Sequence, residues 1–298
     1  MTTFNELVDE VQLNLAGYTM RQDRLTYLTG AMTSTSGLSA TIASVDNVAR
    51  GLIEIDDELI FVDSVNRPAS SLVISPFGRG YQGTSAATHA INTKVTIAPT
   101  FPRVSVKRAI NDTLRSVFPK IWGVGSTTFT FSPATNTYSL PSDFEDLLEI
   151  SYQTIGSSLE WYPVKSYRVD HTAATSAFTS GKSISLYSGI EPGRSVKVTH
   201  TKEPSALSNG SDVYTTVTGL PESTKDVIVL GAAYRLISFV DPSRLTFTSA
   251  EADEADRSKP IGSGANASRF IYTLFQQRLQ EEADKLKGKF PIRTHYTR

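Results

Sequence analysis

Gly78, Gly80 and Gly83 in Gly78-Arg79-Gly80-Tyr81-Gln82-Gly83 stand at G-x-G-x-x-G spacing. Such a loop holds pyrophosphate when it joins a strand to a helix whose N-terminus faces the anion. A strand-like run from Leu72 to Ser75 precedes it, but the residues after it are short and polar, and strand character resumes at Lys94. No apolar helix fits between, so the spacing reads as a glycine-permitted loop in a β-domain. The four histidines, His89, His171, His200 and His295, never stand three or four residues apart. Asp170 beside His171 points to the opposite face of a strand, so the pair makes no metal site. Asp56-Asp57-Glu58 has the form of a paired-acid site, but it falls in a hairpin turn, where aspartate is favoured and acids are solvated. The serines lack a G-x-S-x-G setting. Asp253, Glu254 and Asp256 lie in a polar linker. These patterns give no catalytic residue, no metal ligand and no cofactor, and the expectation is a protein that is not an enzyme.

The balance of the chain supports this. It has 298 residues, with 29 Lys+Arg against 30 Asp+Glu and a formal net charge of −1, which excludes a nucleic-acid binder working by bulk positive charge. The basic helix near Arg103 to Lys120 reads first as a solvated face. With 14 Phe, 12 Tyr and 2 Trp the chain has anchors enough to fold. It has no cysteine, so disulfides, thiol nucleophiles and iron–sulfur clusters are excluded. No apolar run approaches the roughly 20 residues of a membrane span. Met1-Thr2-Thr3-Phe4-Asn5-Glu6 lacks the basic opening of a signal peptide.

Helical spacing of Phe4, Leu7, Val8, Val11 and Leu15 predicts a first helix, with Thr3 and Glu6 as a capping box and Gly17 as its stop. From Ala40 to Pro99 the period changes to two. The expected strands are 41–45, 52–55, 59–62, 71–74 and 94–97, with a hairpin across Asp56-Asp57-Glu58. Pro102 opens a helix striped by Val104, Val106, Ala109, Ile110, Leu114, Val117 and Phe118, ending at Pro119. Between about Thr127 and Val217 six further runs alternate (128–131, 138–140, 148–152, 159–162, 183–187, 196–200), as in a sandwich or barrel. Thr224 is placed to cap a helix through Ile237, stopped by Asp241-Pro242. After a polar linker, Ser268 is placed to cap a last helix ended by Gly288.

The expected fold class is α+β: a helical bundle of about four helices with two inserted β-rich domains. Its parts are residues 1–35 (N-terminal helix and linker), 36–101 (small β-domain), 102–124 (bundle helix), 125–220 (second β-rich insertion) and 221–298 (bundle helices, linker and C-terminal tail).

Two stretches carry a resemblance. Leu52-Ile53-Glu54-Ile55-Asp56-Asp57-Glu58-Leu59-Ile60-Phe61-Val62, followed by Arg79-Gly80-Tyr81-Gln82-Gly83-Thr84-Ser85-Ala86-Ala87-Thr88-His89, resembles a β-module shared by several tailed-phage virion proteins, an I-D-x-E strand before R-G-x-x-G-T-x-A-x-x-H. Asn92 lies near the place where a glycine usually follows that histidine. Leu140 to Leu147, the strand around Trp161, Val196-Lys197-Val198 and Leu230 to Leu236 resemble tailed-bacteriophage head–tail adaptor (connector) proteins. The resemblance implies a structural virion protein at the head–tail interface, assembled in the host cytoplasm. In that family copies of the chain, here expected to be twelve, form a ring beneath the portal that continues the DNA channel and joins capsid to tail. Implied partners are the portal protein, a downstream tail or gatekeeper protein, the chain itself, and packaged double-stranded DNA through weak non-specific contact; no membrane is involved. Lys289, Phe290, Pro291, Ile292, Arg293, His295 and Tyr296 are then the expected portal-docking residues. Arg79, Gly80, Gly83, Thr84 and His89 form a structural loop motif. Alternatives are another tail or baseplate protein, or a receptor- or carbohydrate-binding virion module presenting Trp161, Tyr162 and Tyr167.

Overall fold

Helices and antiparallel sheets share the chain in a computed structural model that describes residues 1–19, 23–46, 48–154, 160–187, 189–237 and 263–290. Two compact units emerge. One comprises Glu6–Asp112 and Val229–Thr273; the other comprises Met1–Asn5, Thr113–Ile228 and Leu274–Arg298. The α+β class holds.

The first unit is built around β1 (Arg24–Tyr27), β2 (Ser39–Thr41), β3 (Gly51–Ile55), β4 (Glu58–Asn66), β5 (Ser71–Ile74) and β6 (Lys94–Ile97). They form one sheet in the order β1-β6-β3-β4-β5-β2, every pair antiparallel. Its two ends meet. Leu28 bridges Ile42, Thr29 N–H donates to Thr41 O at 3.0 Å and Ala43 N–H to Tyr27 O at 3.0 Å. The sheet therefore closes into a barrel at this bridge. Period-two spacing sends Ile53 and Ile55, Ile60 and Val62, Leu72 and Ile74, and Val95 and Ile97 into its buried core. The closing strand, β1, falls in what sequence patterning had assigned to the linker after the first helix.

Two helices of this unit are tied to the barrel rim. Helix α1 (Phe4–Thr19) buries Leu7, Val8, Val11 and Leu15, and it runs through Gly17 rather than stopping there. Helix α2 (Arg103–Val117) follows Pro102, whose fixed φ suits the residue that enters a helix.

The second unit is a sandwich. A four-stranded sheet has the order β10-β9-β13-β7, from β7 (Gly123–Thr130), β9 (Leu147–Gln153), β10 (Trp161–Pro163) and β13 (Ser195–Lys202). A three-stranded sheet has the order β11-β12-β8, from β8 (Thr137–Ser139), β11 (Tyr167–Asp170) and β12 (Ser183–Leu186). Ile150, Val196 and Val198 of the first share one buried core with Ile184 and Leu186 of the second, together with Phe131, Leu140 and Phe144. Strand β11 had no sequence signal: its four residues include Arg168 and Asp170. Tyr167 packs against this core, whereas Trp161 and Tyr162 are exposed.

The short helix α3 (Tyr214–Thr218) precedes α4 (Lys225–Ile237). Tyr214 is fully buried and its hydroxyl shares a 2.7 Å hydrogen bond with that of Thr224. Thr224 also donates to Pro221 O at 2.7 Å, so its side chain secures the turn before α4. Helix α5 (Ser263–Lys289) starts five residues ahead of the expected cap. Ser268 is an interior residue whose hydroxyl donates to Tyr234 O at 3.4 Å, and the helix runs past Gly288. The expected stop at Asp241-Pro242 lies outside the described residues.

Candidate functional site

Among the described residues, a dense group of ionisable side chains lies in the barrel unit, and it begins with the hairpin acids. Strands β3 and β4 are joined by the two-residue turn Asp56-Asp57, with Asp56 at φ 52°, as tight hairpins of this length require. Glu58 is the first residue of β4 and its side chain is wholly buried. Arg79 grips it with a fork: Nε donates to Oε1 at 2.8 Å and Nη2 to Oε2 at 3.0 Å. Backbone N–H groups of Gly80 and Ala87 each add a hydrogen bond at 2.9 Å. His89 Nε2 lies 2.9 Å from Glu58 Oε2, and its Nδ1 lies 2.8 Å from Asp56 Oδ2. Carboxylates only accept, so both contacts are hydrogen bonds when both ring nitrogens carry protons. Arg79 Nη1 donates onward to Ser34 O at 2.9 Å and Gly37 O at 3.2 Å.

The reading of solvated turn acids holds for Asp56 and Asp57, which are exposed, and fails for Glu58, which is buried. Arg79 pairs with Glu58, and Arg103 and Lys107 pair with Asp57, across sequence distances that conceal them. Burial opposes the charge on Glu58, but the Arg79 fork, the two backbone donors and His89 outweigh it and pull its pKa down to about 2. Burial likewise opposes charge on Asp57, and its bonds with Lys107 and Arg103 more than offset that, holding it below the ordinary carboxylate value. Arg103 also pairs with Asp9 of α1. Glu54 behaves in the opposite way. It is buried on the outer barrel face, and burial pushes its pKa up to about 7 against the hydrogen bond it accepts from Arg103 N–H at 2.6 Å. Sequence patterning missed Glu54; its only signal is an acid inside an otherwise apolar strand.

The glycines of the loop serve this geometry. Gly80 adopts φ 61°, and a Cβ there would stand 2.8 Å from Thr84 O. That conformation turns its N–H onto Glu58. Tyr81–Gly83 forms one tight helical turn with no longer helix after it, so the loop offers no helix N-terminus to a pyrophosphate. Thr84 Oγ1 accepts from Leu59 N–H at 3.1 Å and donates to Tyr81 O at 2.9 Å, pinning the loop to β4. Arg79, Gly80, Thr84 and His89 are thus brought together around Glu58, with Gly83 at φ 81° completing the turn. Both oxygens of Glu58, both ring nitrogens of His89 and the Arg79 guanidinium have protein partners in this network, so its chemistry is that of a lock. Among the described residues no group of three or more His, Asp or Glu is placed to hold a metal ion.

The sandwich unit holds a contrasting histidine. His200 is buried beneath the Phe144 ring, at 5.3 Å between centroids, and Gly125 leaves the space its ring fills. Its Nε2 lies 3.6 Å from Asp143 Oδ1, beyond hydrogen-bond reach, and neither ring nitrogen has a hydrogen-bond partner among the described residues. Burial holds its pKa below the ordinary value, against the pull of Asp143.

The expected docking residues lie at the end of α5. Phe290 places its ring 5.5 Å from that of Trp122, within the sandwich unit, and Lys289 Nζ stands 5.9 Å from the same ring. Pro291, Ile292, Arg293, His295 and Tyr296 lie outside the described residues.

A barrel with a buried ion network and a sandwich can serve more than one kind of protein. Comparison with known families decides which. The sequence profile of the SU10 adaptor protein family matches residues 84–288, more than half of the chain. The chain belongs to this family of phage head–tail adaptor proteins. No curated protein matches it. The adaptor match begins at Thr84, so β1 to β5 and Arg79 precede it, while His89, α2, the whole sandwich and α5 up to Gly288 fall within it. Membership makes the protein a structural virion component that interacts with other virion proteins. No helix among the described residues is long and apolar enough to cross a membrane.

Proposed function

We propose that this adaptor forms a ring beneath the portal, continues the DNA channel and joins the capsid to the tail. The observation that carries this reading is the adaptor-family match over residues 84–288. The ring has twelve copies, and the helices α1, α2, α4 and α5 supply a bundle from which barrel and sandwich project. Its partners are the portal above and a tail or gatekeeper protein below, and the chain performs no catalysis. With 29 basic against 30 acidic residues it lets packaged DNA slide, with weak, strongly salt-dependent affinity. Assembly takes place in the host cytoplasm, and the product is a part of the virion.

The portal-docking element in this reading is the tail from Lys289 to Arg298. Lys289 and Phe290 root it, and Ile292 and Tyr296 supply apolar groups worth roughly 1.5–3 kcal/mol each when fully buried on a partner. Arg293 and His295 add donors, and Pro291 limits the backbone freedom lost on docking. Because Phe290 packs on Trp122, the informative truncation removes residues 291–298 only. The truncated chain keeps its melting temperature and fails to attach to portal-bearing heads, read by sedimentation of heads with bound adaptor. Wild-type attachment would move docking to another surface. Native mass spectrometry of the portal-bound assembly reads the copy number, expected to be twelve; the free chain is not informative on this point.

A further inference from the structure

Among the described residues, one sheet edge differs from the others. The ends of the barrel sheet are joined just beyond β1 and β2, where Leu28 bridges Ile42. Strands β8 and β11 have three and four residues. Strand β10 has three, and its edge is blunted. Thr154 N–H donates to Glu160 O, and Val164 N–H to Ile150 O, so residues 160, 162 and 164 face β9 and residues 161 and 163 face outward. Residue 163 is proline and has no N–H to offer.

Strand β7 is different. It runs for eight residues, Gly123-Val124-Gly125-Ser126-Thr127-Thr128-Phe129-Thr130, with no charge and no proline. Its ladder with β13 is unbroken from Gly123↔Lys202 to Thr130↔Ser195. Phe131 N–H donates to Arg194 O at 2.7 Å, so by the antiparallel alternation residues 129, 127, 125 and 123 turn their backbone groups to β13. Val124, Ser126, Thr128 and Thr130 therefore aim four N–H and four C=O groups at the outer edge. These four residues are exposed, and no described residue pairs with that edge. A long, regular, uncharged edge is the kind that other proteins interrupt with a lysine, a proline or a bulge. Here all three devices are missing from a strand inside the adaptor-family match.

We infer that the β7 edge is a docking site for an extended, uncharged segment of another virion protein, which adds to the four-stranded sheet as a fifth strand. The partner's chemistry follows from the edge. Four donor–acceptor sets at every second residue call for about seven or eight residues of extended chain. An edge without charge gives no ion pair to a charged strand, so the strand that fits is neutral and rich in β-branched residues. A second copy of this chain fits less well. Its other edges offer three or four residues, and β7 paired with β7 closes at two copies, which a larger ring does not use. That last step rests on the ring reading above.

Hydrogen exchange by mass spectrometry, on the free full-length chain and on the chain in purified virions, tests the inference. The outward amides of Val124, Ser126, Thr128 and Thr130 are expected to exchange at least ten-fold more slowly in virions. Benzoylphenylalanine placed at Thr130 and irradiated in virions is expected to cross-link to an extended segment of a different protein. Thr128→Pro removes one outward N–H without touching the β13 ladder. It should leave the melting temperature of the free chain unchanged and reduce incorporation into virions at least ten-fold. If it unfolds the chain, Thr128→Lys carries the same expectation through charge alone. Unchanged exchange overturns the inference, and so does a cross-link to this chain's own residues, whether β7 of a second copy or residues 291–298. A twelve-copy assembly with unchanged exchange overturns strand addition and leaves the ring; slowed exchange with a foreign cross-link in an assembly of another size does the reverse.

Discussion

The barrel and the sandwich are both antiparallel β-structures, and they manage polar groups in opposite ways. The barrel closes its sheet on itself and spends Arg79, His89 and two backbone N–H groups on one buried carboxylate, Glu58. The sandwich leaves the eight-residue edge of β7 open and buries His200 with no hydrogen-bond partner. A module whose sheet ends are joined has less open ladder with which to bind through its backbone. One with an open edge has more. If β7 takes a partner strand as inferred, the sandwich is the part of the adaptor that assembly completes.

The largest effect that should sharpen this contrast is Arg79→Ala. It leaves Glu58 buried without its fork, and breaking a buried pair from one side costs about 3–5 kcal/mol. Hydrogen exchange of barrel amides should rise to match, while sandwich amides stay as they were. Equal loosening of both would mean that the barrel is not an independent unit of stability.

Acidity comes next in size. Glu58 has a folded pKa of about 2 against an ordinary 4.5, so its contribution is present above pH 4.5 and is lost as pH falls toward 2. Glu54 has a folded pKa of about 7, so the folded barrel holds a proton that the unfolded chain has released between pH 4.5 and 7. Its effect is a loss of stability as pH rises through that window. Each shift corresponds to about 3 kcal/mol. Denaturant titrations of the barrel should therefore show greatest stability near pH 4.5–5 with respect to these two groups. Glu54→Gln should flatten the alkaline limb only.

How much of this was legible in the sequence follows from the same residues. Period-two patterning located β3 to β6 because one face of each is apolar. It missed β1 and β11, which are four residues long and carry arginine within a polar stretch, so no alternation stands out. Glu58 looked solvated like its exposed neighbours Asp56 and Asp57 because its partners, Arg79 and His89, are 21 and 31 residues away in the chain. The glycine and threonine spacing marked a structural loop, but the carboxylate it encloses emerges only when the strands are paired. The open edge of β7 was invisible for a different reason: sequence shows that a strand is uncharged, and only sheet order shows that it lies at an edge.

A smaller effect probes the sandwich. Gly125→Ala puts a methyl group 2.4 Å from His200 Nε2, so the imidazole must move in a packed core. Overpacking of this kind costs about 1–3 kcal/mol. The loss should appear in sandwich amides and in the melting of the second unit, with the barrel unaffected.

The smallest expected effect, and the one most specific to the contrast, is His200→Leu. A buried polar group without a partner destabilises the fold by about 1–3 kcal/mol, and leucine removes that penalty at similar volume. Against it stands the lost contact with the Phe144 ring, worth about 0.5–1.5 kcal/mol for an aromatic pair. The balance is near zero or slightly stabilising, where truncating a satisfied residue such as Arg79 is costly. The pH dependence separates the two regions further. Burial lowers the folded pKa of His200, so as pH falls below 6.5 the unfolded chain takes up a proton that the folded sandwich resists, and the sandwich loses stability. Over the same range the barrel gains stability through Glu54. Hydrogen exchange at pH 7 and pH 5, corrected for intrinsic rates, should show sandwich protection falling and barrel protection rising. In His200→Leu the sandwich should lose its dependence while the barrel keeps its own. A sandwich that still weakens on acidification after this substitution would assign the effect to Asp143 or another group and remove His200 from the argument.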